Sequence, residues 1–305
     1  MSITSFLDPK NDFVFRQIFG TEKNKDILIH FLNDILEYKG AEKITEVTFL
    51  KPIQDPDIAV YRQSIVDVLC QDNIGTQFIV EMQVSNHKGF EKRAQFYAAK
   101  AYSMQILKED NDHKKLAVYA KLKGVIFLAI ADFTMFPEKK DWKSTHRLLD
   151  AKTYEHDLKD FHFVFLELTK FGKTSIKELI NIQEKWAYFF KNAHKSSLLD
   201  MNNLIGKDII MQRAFEAIDQ ASWTEEELRT YEHIIKAKLD NLAVEQQKLE
   251  DAEAKGKIEG KIEGKAEGKI EIASKMLLKY LSIDEISEIT SLTIDEVIEI
   301  KTQKI

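Results

Sequence analysis

Between Ser64 and Gln83 (SIVDVLCQDNIGTQFIVEMQ) two acids stand inside apolar strand sequence. The run Ile65-Val66-Asp67-Val68-Leu69-Cys70 is β-branched and apolar except at Asp67. The run Gln77-Phe78-Ile79-Val80-Glu81-Met82-Gln83 is apolar in its first half and carries Glu81 and Gln83 near its end. Both have the length and composition of strands, and Asp72-Asn73-Ile74-Gly75 between them is turn chemistry. Pairing Asp72 with Thr76 leaves the loop Asn73-Ile74-Gly75, with glycine third, where a three-residue hairpin loop takes a left-handed residue. Counting back from that pair along both strands brings Asp67 directly opposite Glu81 on one face. A bulge would shift the pairing by one residue. Gln83 shares the face, because side chains repeat every second residue.

Two like charges facing each other across a ladder destabilise a sheet, and burying them costs more still. Two arrangements remove the conflict. A divalent cation can sit between the carboxylates, and hard oxygen ligands in a small cluster suit Mg²⁺ or Mn²⁺. Alternatively, one or both acids point to solvent at a sheet edge. The spacing alone leaves both open.

The segments around the hairpin read as alternating helices and strands. Asp12 to Phe19 and Asn24 to Leu36 have helical apolar spacing, with Gly40 expected to close the second helix. Lys43 to Leu50 alternates as a strand, and Asp55-Pro56-Asp57 marks a loop. Gly89 to Leu107 reads as a long helix. Leu122 to Ala131 is a continuous apolar run, as in a buried central strand, and Phe161 to Leu168 is a further strand. From about Ser175 every periodic segment is helical: 175–193, 207–220 and 224–250.

These residues carry a resemblance. Val66-Asp67-Val68-Leu69, the turn at Gly75 and Ile79-Val80-Glu81-Met82-Gln83 resemble the core of the PD-(D/E)XK nuclease superfamily. More narrowly they resemble its recombination-promoting nuclease / transposase-like family of bacteria, whose strand motif ends in Glu-x-Gln in place of Glu-x-Lys. Asn11-Asp12-Phe13-Val14-Phe15-Arg16-Gln17-Ile18-Phe19-Gly20 with Leu32-Asn33-Asp34-Ile35-Leu36, the helix from Arg93 through Tyr97 to Tyr102-Ser103, and the glycine-spaced tail match the same family. The resemblance covers nearly the whole chain. It implies an α/β fold: a nuclease-like core with a mixed central sheet flanked by helices, followed by an all-helical C-terminal region. The expected domains are 1–172 (nuclease-like), 173–250 (helical), 251–272 (glycine-spaced) and 273–305 (a small helical hairpin).

The resemblance also implies a metal-dependent DNA endonuclease. Asp67, Glu81 and the carbonyl of Met82 would hold Mg²⁺ or Mn²⁺, which polarises a phosphodiester and lowers the pKa of a bound water. Gln83, standing where most relatives have lysine, would orient water or phosphate. Asp12 matches the first-helix acid of the family, as a second metal ligand or as an acid favoured by the helix macrodipole. Arg93 and Tyr97 are i, i+4 neighbours. They suit a phosphate contact and a hydrogen bond or stack on DNA, or else form a surface arginine lying over a tyrosine. The alternative function is a catalytically inactive nuclease fold that serves as a DNA- or protein-binding module.

Charge and composition limit the remaining classes. The net charge of −6 is not that of a DNA-coating protein, but a nuclease needs only a local basic groove. The single cysteine, Cys70, cannot form an intrachain disulfide and reads as a small core residue. The acidic and basic residues Asp8, Lys10 and Asp12 precede any long apolar run, so no signal peptide is expected. Nor is a membrane span, and the expected compartment is the cytoplasm. The histidines show no metal-ligand spacing, and the three tryptophans read as packing residues.

The tail repeats Gly-Lys-Ile-Glu with glycine at 256, 260, 264 and 268. Glycine every fourth residue weakens a helix, and lysine is expected to meet lysine at i, i+4, so a weak helix or flexible linker is expected. Beyond it, Ser282-x-x-Glu285 and Thr293-x-x-Glu296 are capping boxes of two short helices. Asp295, Glu296 and Glu299 on the second would repel phosphate, which favours self-association or partner docking over DNA reading. A homo-oligomer through these C-terminal helices is the expected assembly.

Overall fold

The hairpin forms in the register its turn dictates. In the computed structural model, which describes residues 6–51, 66–107, 119–206 and 208–304, Asp72 N–H donates to Thr76 O at 3.0 Å. Val68 pairs with Val80 and Cys70 with Phe78, antiparallel. Gly75 takes φ +92°. Strand β1 (Val47–Phe49) flanks β2 (Val68–Asp72), which pairs with β3 (Gln77–Gln83). Then β4 (Val125–Ala131), β5 (Lys143–Arg147) and β6 (Phe161–Glu167) complete a six-stranded sheet of order β1-β2-β3-β4-β6-β5. The β3–β4 and β4–β6 pairs are parallel and the others antiparallel, so the sheet is mixed.

Every residue of β4 is buried, as its unbroken apolar sequence demands. Its alternate side chains enter two cores. Ile126, Leu128 and Ile130 join Val68, Cys70, Phe78, Val80 and Met82 on one face. Helices α1 (Asp12–Phe19) and α2 (Lys25–Leu36) pack there. On the other face Phe127, Ala129 and Ala131 join Leu69 and Ile79 under α3 (Phe90–Leu107), whose Ala94, Ala98 and Ala101 lie against the sheet. Cys70 is buried, and burial pushes its thiol up to about 12.

Three further helices, α4 (Ile182–Asn192), α5 (Leu198–Ile205) and α6 (Ile209–Ile218), thicken the first face. Trp186 is fully buried among Phe19, Phe31 and Phe190 and donates to Asp34 Oδ2 at 2.8 Å. Trp142 packs on Phe171, and Trp223 on Phe13. The fold is thus a mixed sheet between helices with a helical C-terminal region. No described helix is long and apolar enough to cross a membrane.

Several expectations need correction. The first hairpin strand begins at Val68, so Asp67 lies just ahead of it; Ile65 and the Asp55-Pro56-Asp57 loop lie outside the described residues. Helix α2 ends before Gly40, because Glu37 takes the left-handed conformation at φ 62° and its N–H donates to Asn33 O. Strand β5 and helix α5 were not anticipated: KSTHR is too polar to read as a strand, and its apolar pairing comes from β6 alone.

The chain divides into two compact units, Met1–Tyr231 and Glu232–Ile305. The glycine-spaced repeat is helical, within α7 (Glu225–Leu277). Charge pairs do occur at its ends: Glu253–Lys257 at 2.7 Å, Lys255–Glu259 at 3.7 Å and Glu271–Lys275 at 2.5 Å. Residues outside the strict repeat break its period and supply the opposite charge, although such exposed pairs are weak. Helices α8 (Ile283–Thr290) and α9 (Ile294–Lys304) close a small core of Ala273, Ile286, Val297 and Ile300. Both capping boxes form, and Asp295, Glu296 and Glu299 are exposed.

A Cβ at Gly75 would meet Lys123 Cγ at 3.0 Å in addition to the strain of its positive φ. Gly75→Ala should therefore cost about 1–3 kcal/mol. The check is a lower urea midpoint with an unchanged slope.

Candidate active site

The two acids meet where β2 ends and β3 continues. In the hairpin register Met82 would next pair with Val66. Instead its N–H donates to Asp67 Oδ2 at 2.9 Å. A side chain thus takes the donor that a continued ladder would have used, and the strand stops. The other oxygen, Asp67 Oδ1, accepts from Arg16 Nε at 3.0 Å and Nη2 at 2.9 Å. Arg16 comes from α1, whose apolar face (Val14, Phe15, Ile18, Phe19) is fixed in the core. Its guanidinium is therefore delivered by packing on the opposite side of the molecule from α3.

Glu81 lies on the α3 face with Ile79 and is only 6% exposed. Its carboxyl is hydrogen-bonded to the Asp67 carboxyl and accepts the Asp67 backbone N–H. Burial first, then the charge of Asp67, holds the Glu81 pKa well above its ordinary value; Arg93 opposes this more weakly. Two buried like charges this close cannot both ionise cheaply, which is the cause of the rise at Glu81. The strand neighbours of Glu81 and Gln83 in β4 are Ala129 and Ala131, so only methyl groups flank the acids on that side.

Gln83 Oε1 accepts from Arg93 Nη2, and Gln83 Nε2 donates to Ser85 O at 2.9 Å. Arg93 also lies 4.8 Å over the Phe90 ring, and its Nε is buried without a hydrogen-bond partner. Tyr97, one turn further along α3, is half-buried against the α3-side core. Lys92 is exposed, and Lys100 lies 5.8 Å over the Phe96 ring. Asp12 is exposed in the first turn of α1, one turn before Arg16, where the macrodipole favours an acid. Among the described residues no group of three or more His, Cys, Asp or Glu is placed to share a metal, so Asp12 does not join Asp67 and Glu81 in one cluster.

The donors present fit a hard divalent cation. Mg²⁺ is commonly held by one or two carboxylates with the rest of its shell water. Asp67 and Glu81 supply two, and their mutual repulsion is the conflict that a cation relieves. Within a strand a residue's N–H and C=O point the same way. Because Met82 N–H points at Asp67, its carbonyl points to that side as well, where it would serve as a third donor.

The structure brings Asp67 beside Glu81 and Arg93 beside Gln83, and the sequence reading gives no role to Arg16. Its only local signal is a charge one turn from Asp12 on the polar side of an amphipathic helix. A family model described as PD-(D/E)XK nuclease family transposase matches residues 9–248. No curated protein and no solved structure matches the chain.

The raised Glu81 pKa has a sign that can be measured. A group raised on folding stabilises below its unfolded value, here about 4.5, and that stability is lost as pH climbs through the folded value. With chelator present, the parent should therefore lose stability from pH 5 upward relative to Glu81→Gln, which keeps the shape but not the charge. A gap between the two proteins that stays constant from pH 5 to 8 in denaturant melts would refute the raised Glu81 pKa.

Proposed function

The chain belongs to the PD-(D/E)XK nuclease family transposases, and from that premise we propose that it is a divalent-metal-dependent DNA endonuclease. It hydrolyses phosphodiester bonds with Mg²⁺ or Mn²⁺, in a recombination-promoting, transposase-like role in the cytoplasm. The observation that carries this reading is the buried Asp67–Glu81 pair at the C-terminal end of β3, beside parallel β4. Ligand sites in sheets with parallel strands lie outside those carboxyl ends.

Asp67, Glu81 and the Met82 carbonyl would hold the cation. When bound, it polarises the phosphodiester and makes a nucleophile of a bound water at neutral pH. The chain's own residues do the rest. Glu81, whose pKa burial and Asp67 raise, would have to be ionised to hold the cation. Arg16 keeps the Asp67 carboxylate in its orientation through two donors on one oxygen. Gln83 orients water or phosphate, and Arg93 supplies the fixed positive charge beside it. Arg93 and Tyr97 bind DNA, the first at a phosphate and the second by hydrogen bond or stacking. Asp12 stands at the edge as an acid of the first helix. Self-association through the C-terminal helices completes the proposed assembly.

One observation favours the second reading, a DNA- or protein-binding module without catalysis: both oxygens of Asp67 already have protein donors. Nicking of supercoiled plasmid in Mg²⁺, Mn²⁺ or EDTA separates the two. Cleavage should require the metal, and Asp67→Ala and Glu81→Ala should each lose about 10²–10³-fold, the several kcal/mol a metal contributes. Plasmid retained on the protein but never cut in either metal would establish the second reading.

The metal site has a thermal signature independent of turnover. A ligand that binds only the folded form stabilises it by about 2.7 kcal/mol at a hundredfold excess over its dissociation constant. Mn²⁺ should raise the Tm of the parent protein, and Asp67→Asn should lose most of that rise. A Tm indifferent to Mn²⁺ would remove the site.

A further inference from the structure

A cavity of about 310 Å³ opens between α3 and strands β5 and β6. Its walls include Phe136, Phe163 and Phe165, the His146 ring, and Glu91 and Gln95 from α3. It lies on the sheet face that carries the acids. The register places Phe165 opposite Ala129, and Ala129 opposite Glu81. Phe165 is therefore level with Glu81 and two strands away, about 10 Å at the usual strand spacing. Helix α3 borders both places: Arg93 reaches Gln83, while Glu91 and Gln95 line the cavity.

The lining selects a class of ligand. Phenylalanine rings and an imidazole suit a flat aromatic body. Burial, and then the charge of Lys139, lower the His146 pKa, so its ring is neutral at neutral pH. Glu91 repels an anion but accepts from an exocyclic amino group, and the Gln95 amide can both donate and accept. Arg147 lines the cavity and is cationic, and a second cation stands beside it. Lys139 is exposed, with Nζ 5.1 Å over the Phe136 ring and 3.4 Å from His146 Nε2. A flat ring against the aromatic walls and a phosphate at Arg147 or Lys139 describe a nucleotide that enters base first.

We propose that this cavity receives an unpaired nucleobase of the DNA strand being cut. The preferred substrate then carries a single-stranded or flipped-out nucleotide beside the scissile phosphodiester. A base inside a duplex is stacked on both faces and paired at its edge, so it must leave the stack to enter. The position beside the cut rests on the nuclease reading; the base-binding chemistry does not.

Binding of the full-length protein in EDTA, followed by fluorescence anisotropy, tests the proposal apart from catalysis. The probes are a paired duplex, the same duplex with one unpaired base, and that duplex with an abasic unit at the same place. The unpaired base should tighten binding about fivefold or more, the lower end of what one base stacked on an aromatic ring contributes. The abasic unit should abolish the gain. Phe136→Leu keeps apolar volume but removes a ring, and should bind the paired duplex normally while losing the preference. Should that variant melt early, Gln95→Ala, at an exposed position on α3, takes its place and should show a weakened preference. Equal affinity for all three probes, a preference that survives in the variants, or no DNA binding at all overturns the proposal. Base preference without cleavage of any probe in Mg²⁺ supports the cavity and sinks the nuclease reading alone.

Discussion

The structure depends on keeping two carboxyl groups together in a place that would separate them. Opposed unit charges about 4 Å apart in a protein interior repel by several kcal/mol even at a moderate effective dielectric. The fold answers in three ways. Arg16 pairs with Asp67 from α1, the Met82 N–H binds its second oxygen, and burial raises the Glu81 pKa, which favours its neutral form. Each answer draws on a different part of the chain: a helix on one sheet face, the backbone of β3, and burial under α3. The sheet must therefore be complete and covered on both faces before the site exists. Polar groups this deep are also intolerant of small errors, since a half-satisfied buried network costs more than an apolar one.

How much of this was legible follows from the range of each interaction. The hairpin register was legible because a three-residue turn and a period of two fix it locally, and the observed pairs Val68–Val80 and Cys70–Phe78 keep it. The buried central strand was legible because VIFLAIA tolerates no wet face. The pairing of Arg16 with Asp67 was not, since it joins residues 51 apart in the chain. No local pattern encodes which charged side chain of an amphipathic helix will face a sheet edge. Strand β5 was hidden for a related reason: an edge strand gets its order from one neighbour and can remain polar. Its sequence then looks like a loop.

The long helix α7 shows propensity yielding to context. Four glycines at intervals of four should each cost about 1 kcal/mol against alanine. They nevertheless lie within one helix, in which Ile258 and Ile262 are more than half exposed. Local rules rank this segment as the weakest helix of the chain. Its last turns are tied down at Ala273 by the small core with Ile286 and Val297, so order at one end is tertiary in origin.

The departure from lysine at position 83 has a physical consequence on the proposed reading. A lysine there would stand beside the buried Glu81 on the same face and could ion-pair with it, occupying an oxygen that a metal needs. Glutamine carries no charge and makes no such pair. The positive charge comes instead from Arg93, on a separate helix, held by Gln83 Oε1 and by the Phe90 ring. A guanidinium does not lose its proton under any working condition, whereas a buried lysine shifts readily. The charge beside the phosphate would thus be fixed, and the carboxyl with the raised pKa is Glu81. On that reading a metal held here would displace a proton from Glu81, and the depth at which α3 buries that carboxyl would set the pH at which the site loads.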